Sequence, residues 1–376
     1  MEILETKKRI PMNINLRLPP HIVRAIFSKL SISNLPTCRV VCKTWNNLVL
    51  EYASSTKFLP TTTLFLSMAD EISNYIPFKS TPWCNPKIHC VDIDSKTSYV
   101  ASFGFEGDWS YITIVNSCNG LLYICKFTFD SLCEGILNPM TNEFMEIPQP
   151  EIELDVHSIG FGFSPRTKQY KLFRTEPEVL ENLKKCHYIM EIFTFDNGYK
   201  QWRHFERLPF VVFHHGQYLN GVIYWIGKKL EKEGEAVIYA LDVDTEQMEC
   251  TATLEIGPSL KNGSIKIFEE RVYAIISLMD KRVSPTSYKI ELWRMQKKDS
   301  WIKEFSIDEE SFGLITVFED GELLIAIKDN IFRLDKSRKK IKIKTLNSSE
   351  SRIKVIGCNT INSINFECFS NILARD

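Results

Sequence analysis

No apolar run in this chain approaches the roughly 18 residues that a membrane-crossing helix needs; stretches such as Leu121–Cys125 are a fraction of that. No membrane partner is therefore expected. The first fourteen residues are broken by Glu2, Glu5, Lys7, Lys8 and Arg9 and hold no apolar core of the secretory kind, so cytoplasm, nucleus or both is the expected compartment. Lys7–Arg9 is too short to argue for import. An excess of one charge is also missing: 46 Lys+Arg against 47 Asp+Glu leave a formal charge of -1, and no whole-chain field to hold nucleic acid. The 11 cysteines include no CxxC; the closest pairs are Cys38/Cys42, Cys84/Cys90 and Cys118/Cys125, and no His pair follows at finger spacing. Free thiols, no structural metal and no cofactor are expected. Nor does GxSxG, HExxH, GxxxxGK[ST] or GxGxxG occur, so no catalytic residue is nominated and the chain is not expected to be an enzyme.

What is present is an ordinary globular composition, 44% apolar and 25% charged, in 376 residues, which is more than one core usually spans. Two domains or a repeat architecture are expected. In residues 18–49, apolar side chains recur at Ile22, Ile26 and Leu30 and again at Val23 and Phe27, the three-four spacing of a helix. Pro19 and Pro20 suit its first turn and the Ser31–Asn34 cluster ends it. Ser33 or Asn34 should cap a second helix with Pro36 in its first turn, and Thr44 a third that carries Trp45, Leu48 and Val49. Sixteen of these 32 residues are apolar, more than three short helices can hide. The surplus must face the rest of the chain or a partner. Arg24, Lys29, Arg39 and Lys43 are the only ionised residues in the stretch, a local charge of +4 that would steer an acidic partner.

The pattern Leu18-Pro19, Ile26, Leu30, Leu35, then Arg39-x-Val41-Cys42-Lys43-x-Trp45 closely resembles the F-box. The resemblance implies that the motif binds a Skp-type adaptor, and through it cullin and RING subunits, in an SCF-type ubiquitin ligase. Leu18, Pro19, Ile22, Ile26, Leu30, Leu35, Val41 and Trp45 then fall at positions that form the adaptor-facing surface or the packing behind it. Pro36 departs from the family pattern, where an ordinary helix former is more usual.

After residue 62 the period changes from helix to strand. Gly120–Cys125, Ile189–Phe195, Val222–Ile226, Val237–Leu241, Val272–Ile276 and Leu323–Ile327 are short and rich in β-branched and aromatic residues, and a weak helical signal survives only over Glu176–Lys185. An apolar residue, Asp or Asn, a turn and a large apolar residue recur at Asp92, Asn138, Asp196, Asp242 and Asp335, with a degraded copy at Trp293–Trp301. Asn119-Gly120, Asn220-Gly221 and Asp320-Gly321 precede three of these turns and supply the positive φ of tight hairpins. Hairpins repeating every forty to sixty residues predict a β-propeller of about six to eight four-stranded blades.

Cys118-Asn119-Gly120-Leu121-Leu122, Leu137-Asn138-Pro139-Met140-Thr141, Gly160-Phe161-Gly162-Phe163 and Asn220-Gly221-Val222-Ile223-Tyr224-Trp225 resemble the kelch-like F-box-associated interaction domain of plant F-box proteins, although kelch's double glycine is missing. The resemblance implies a domain that recruits a target protein for ubiquitylation. The fold class expected is mainly β with a small helical motif: tail 1–15, three-helix motif 16–52, linker 53–62 and propeller 63–376.

Loops that interrupt the repeat are the expected target contacts: Thr175–His187, Gly227–Glu235 and Met279–Tyr288, the last with Asp280, Lys281 and Arg282. Trp83 and Trp109, in irregular segments, join them as candidate exposed contacts, while Trp202, Trp225, Trp293 and Trp301 sit at repeat positions and are expected to pack. His214-His215 is expected to be an ordinary strand-end pair, since neighbours on a strand face opposite ways. Cys186-His187 lacks an orienting carboxylate. The basic run Lys336–Lys344 alternates with Ile341 and Ile343, as a half-buried strand with a solvated outer face does. Two alternatives stay open: a propeller-fold enzyme with a helical prefix, and a scaffold that holds the adaptor without degrading anything.

Overall fold

In the computed structural model, the described residues are 18–30, 35–54, 63–70, 88–92, 97–101, 111–127, 132–138, 143–148, 158–179, 186–195, 202–229, 234–268, 270–279, 288–309, 313–317, 323–327, 330–335, 340–345 and 351–354. The first described elements are helices α1 (Pro20–Phe27), α2 (Leu35–Arg39) and α3 (Lys43–Ser54). Pro19 holds the extended cap conformation, and its carbonyl accepts the Ile22 and Val23 N–H groups at 2.9 and 3.2 Å. Pro20 and Pro36 both fall in first turns, where a missing N–H leaves nothing unsatisfied. The cap expected at Thr44 is corrected. α3 starts at Lys43, and the Cys42 thiol takes the capping role by accepting the Trp45 N–H at 3.5 Å. The proposed caps Ser33 and Asn34 lie outside the described residues.

All the rest is β. The strands are β1 (Thr63–Asp70), β2 (Ile88–Asp92) and β3 (Thr97–Ala101); β4 (Tyr111–Cys118), β5 (Leu121–Phe127), β6 (Leu132–Asn138) and β7 (Glu143–Glu146); and β8 (Ser158–Phe163), β9 (Tyr170–Val179), β10 (Cys186–Thr194) and β11 (Trp202–Leu208). Then come β12 (Phe210–Val212), β13 (Gln217–Leu219), β14 (Val222–Lys229), β15 (Glu235–Asp242) and β16 (Met248–Glu255), followed by β17 (Leu260–Phe268), β18 (Arg271–Met279), β19 (Tyr288–Lys297) and β20 (Ser300–Glu309). Last are β21 (Gly313–Val317), β22 (Leu323–Ile327), β23 (Asn330–Leu334), β24 (Lys340–Thr345) and β25 (Ser351–Lys354).

Among the described residues these strands form six antiparallel sheets in a propeller-like arrangement, with neighbouring sheets packed through β1 on β4, β4 on β8, β8 on β14 and β14 on β17. The expectation of six to eight like blades is corrected. Four sheets are meanders of four consecutive strands: β4–β7, β8–β11, β17–β20 and β21–β24. The other two break the plan for separate reasons. In the first, β25 from the far end of the chain pairs with β1, giving the order β25-β1-β2-β3. In the fourth, β12 and β13 both pair with β14, as one first strand interrupted over Phe213–Gly216.

The turn chemistry falls where the hairpins are. Asn119 and Gly120 have φ of 47° and 82° and Asn220 and Gly221 of 48° and 88°, and each pair joins a first strand to a second. The recurring Asx turns join third strands to fourth, as where Asp242 Oδ1 accepts the Thr245 N–H at 2.8 Å. The helical signal over Glu176–Lys185 is corrected: Glu176–Val179 belongs to β9, where Pro177 lies opposite Tyr188. Cross-strand pairing overrides a local helical preference there.

The core lies between the sheets. Phe161, Tyr170 and Phe193 pack against Tyr123 and Ile136 of the neighbouring sheet, and Phe173, Ile192, Trp225 and Val237 fill the next interval. Trp225 is buried, donates its Nε1–H to Ser158 Oγ at 3.1 Å, and lies so close to Gly160 and Gly216 that a Cβ on either would fall 2.3 or 2.4 Å from its ring.

Candidate protein-docking site

The helical motif sorts its apolar residues into two sets. Val23, Phe27, Cys38, Leu48 and Val49 are buried, and Phe27 meets Trp45 edge-on with ring centroids 5.5 Å apart. Leu18 and Ile22 stand 37% and 40% exposed, Val40 83% and Val41 58%. The expected surface residues therefore divide: Leu18, Pro19, Ile22 and Val41 are exposed, Ile26, Leu30 and Trp45 are half-buried, and the Leu35 side chain lies outside the described residues. Val40 is an exposed apolar residue that sequence reasoning missed. It sits in the turn between α2 and α3, where helical periodicity assigns no face.

The +4 charge counted over residues 18–49 is reduced by acids beyond that window. Arg24 pairs with Glu51 at 2.5 Å and Arg39 with Glu143 of β7 at 3.2 Å. Lys29 and Lys43 remain on the exposed surface of the motif.

Asp280, Lys281, Arg282, Trp83 and Trp109 lie outside the described residues, but the strands that flank the three expected recognition loops are described. Each contains a second-to-third strand connection of successive sheets, β9 to β10, β14 to β15 and β18 to β19, but the expected bounds are corrected: residues 175–179, 186–187, 227–229, 235, 279 and 288 are strand, with Thr175 and Glu176 buried. In an antiparallel meander such a connection leaves the end opposite to the tight first-to-second and third-to-fourth turns. At the tight-turn end, Asp244 accepts hydrogen bonds from the Ser164 hydroxyl and, at 3.1 Å, from the Arg166 N–H, joining turns of adjacent sheets.

The expected strand-end pair His214-His215 is corrected, because these residues fill the interruption between β12 and β13. His215 Nδ1 accepts the Ile159 N–H at 3.0 Å, His214 Nε2 lies 3.0 Å from Asn262 Nδ2, and Asn116 Nδ2 donates to the Ile159 and Gly216 carbonyls at 3.0 and 2.8 Å. These polar groups tie first strands of adjacent sheets. His187 lies on β10 opposite Glu178. Trp225 is buried, and Trp202, Trp293 and Trp301 are partly buried against the sheet cores, as their repeat positions predict. Among the described residues no group of three or more His, Cys, Asp or Glu is placed to hold a metal ion.

One buried polar cluster was not foreseen. On the third sheet, Arg174 bonds Glu191 at 2.9 Å and lies 3.8 Å from Glu176, while Glu191 faces His204 at 3.6 Å. Glu176 is fully buried, and neither of its carboxyl oxygens has a hydrogen-bond partner. Burial pushes this carboxyl up to about 7, with Arg174 pulling it down and Glu191 pushing it further up.

A family model described as the F-box associated beta propeller domain matches residues 79–364, and the F-box domain matches residues 15–52. The chain belongs to the F-box associated beta propeller domain family. Among related proteins, the F-box protein At3g07870 of Arabidopsis thaliana is 23% identical over 77% of this chain and 72% of its own length. F-box protein At5g65850 of the same plant is 24% identical over 77% of this chain and 70% of its own. Among solved structures, TolB from Acinetobacter baumannii aligns with 83% of this chain and 69% of its own at 10% identity and a TM-score of 0.46. In this F-box chain the exposed apolar residues Leu18, Ile22, Val40 and Val41 therefore lie on the F-box, ahead of the propeller domain.

Proposed function

We propose that this protein is the substrate-recognition subunit of an SCF-type ubiquitin ligase, with residues 16–52 binding a Skp-type adaptor and residues 63–376 holding a target protein. The observation that carries the reading is the place of the exposed large apolar side chains: among the described residues these are Leu18, Ile22, Val40 and Val41, all on the F-box. Burying each against a partner is worth about 1.5–3 kcal/mol. Lys29 and Lys43 on the same motif favour an acidic partner surface.

The chain performs no bond chemistry in this reading. It works in the cytoplasm or nucleus by raising the effective concentration of the target beside the ubiquitin-loaded enzyme. Recognition of the target is assigned to the loop-bearing end of the propeller, through the connections 180–185, 230–234 and 280–287 within the expected Thr175–His187, Gly227–Glu235 and Met279–Tyr288, the last with Asp280, Lys281 and Arg282, and through Trp83 and Trp109. The topological equivalence of the three connections supports this assignment, because equivalent loops of adjacent sheets can meet one partner.

The first test replaces Leu18, Ile22 and Val41 with Asp and measures adaptor binding. At 1.4 kcal/mol per decade, a loss of more than about 100-fold is expected, with the β circular dichroism signal of the propeller retained. Undiminished binding would refute the reading. Once a target is identified, exchanging each of the three loops for a Gly/Ser linker should abolish target ubiquitylation in at least one exchange while sparing adaptor binding. Three silent exchanges would place recognition elsewhere.

A further inference from the structure

The helices that expose Leu18, Ile22, Val40 and Val41 connect to the sheets through only eight residues, 55–62, and a flexible segment of that length would let the two parts turn freely over about 16 Å. A polar contact crosses the gap. Arg39, the last residue of α2, donates from Nε to Asn46 Oδ1 of α3 at 2.9 Å and from Nη2 to Glu143 Oε1 of β7 at 3.2 Å. Asn46 thus aims the guanidinium from the helical side while the other edge of the fork reaches the sheet, 104 residues away in sequence. The two side chains are 19% and 33% exposed, so water and salt screen the pair less than they would on an open surface.

The receiving strand is firmly seated. Phe144, next to Glu143, covers Gly135 so closely that a Cβ there would meet its ring at 2.3 Å, and Lys126 Nζ lies 3.7 Å above the same ring. Glu143 pairs with Asn138 at the tight third-to-fourth turn of its sheet, the end opposite to that sheet's second-to-third connection.

We infer that Arg39 is a positioning residue: its pairing with Glu143 docks the F-box on the second sheet, so that adaptor-binding helices and propeller turn as one body. The inference rests on the proposed receptor role for its purpose. A receptor whose two halves swivelled would dilute the target's effective concentration at the ubiquitin-loaded enzyme, whereas a docked one holds it at a set distance. A short tether makes one partly covered ion pair sufficient to bias the arrangement, because the translational cost of bringing the partners together is already met by the chain.

The test uses the full chain without adaptor or target, so its outcome is independent of whether the receptor reading holds. Amide hydrogen exchange of α2 and α3 and the rate of protease cleavage within 55–62 are compared for wild type, Glu143→Gln, Glu143→Lys and the double variant Arg39→Glu/Glu143→Arg. Both Glu143 variants should raise cleavage several-fold and speed exchange in α2, although the change is 104 residues distant, and exchange in β5 and β6 should stay as in wild type. The charge-reversed double variant should restore protection, since the Asn46 amide, turned over, can donate to a carboxylate at position 39. Unchanged cleavage and exchange in both Glu143 variants would overturn the inference. So would a loss that charge reversal fails to restore, or a loss accompanied by faster exchange in β5 and β6, which would mark damage to the sheet rather than undocking.

Discussion

At the residue scale, Glu176 is the clearest departure from a self-sufficient core. One guanidinium, Arg174, serves two carboxylates and bonds Glu191, so Glu176 is buried without a hydrogen-bond partner for either oxygen. A group whose folded pKa is raised from an unfolded value near 4.3 to about 7 keeps its proton in the native chain where the unfolded chain has lost it. Its contribution to stability is therefore fully present below about pH 4 and is lost as pH rises to 7. Arg174, Glu191 and His204 face the same cluster. Glu176→Gln should accordingly flatten the decline in the urea midpoint between pH 5 and 8, and at pH 8 should raise Tm above wild type by about 2 °C or more. Parallel pH profiles for the two proteins would count against a protonated Glu176.

At the element scale, the hairpins depend on the left-handed residues between first and second strands. Gly221 at φ 88° joins β13 to β14, and its carbonyl accepts the Val243 N–H at 2.9 Å, so this turn also holds the third-to-fourth turn between β15 and β16. Gly221→Ala should cost about 1 kcal/mol from the strained φ alone, read as a lower urea midpoint at unchanged m. In the basic run, Lys340–Thr345 forms β24, the outermost strand of its sheet, paired only with β23 among the described strands. The strand alternation was legible in the sequence because period two is local, whereas the interruption of the first strand at Phe213–Gly216 was not, since it is set by Ile159 and Asn262 on other sheets.

At the scale of the whole molecule, the first sheet needs both ends of the chain. β25 pairs with β1 over Ser67↔Lys354 to Asp70↔Ser351, so the strand that follows the sixth sheet completes the first. This explains why the Asx turn at Asp92 has no Asn-Gly turn before it: β2 and β3 are third and fourth in that sheet, and the first strand arrives from the C-terminal side. Deleting residues 351–376 should leave the β1 edge open, lower the Tm by several degrees and increase self-association in sedimentation. A truncated chain with wild-type Tm would show that this pairing contributes nothing to stability.

The amino-acid sequence by itself determined whatever depends on neighbours a few residues apart: the helical spacing of Ile22, Ile26 and Leu30, the alternation of the strands, the positive φ at Asn119-Gly120 and Asn220-Gly221, and the recurrence of hairpins that announced a propeller. The tertiary structure alone decided the partnerships between distant residues. It turned Val40 outward, neutralised Arg24 and Arg39 with Glu51 and Glu143, and left Glu176 short of a counter-charge. Periodicity and turn chemistry are local steric preferences, while burial and charge pairing depend on which side chains meet once the chain has closed.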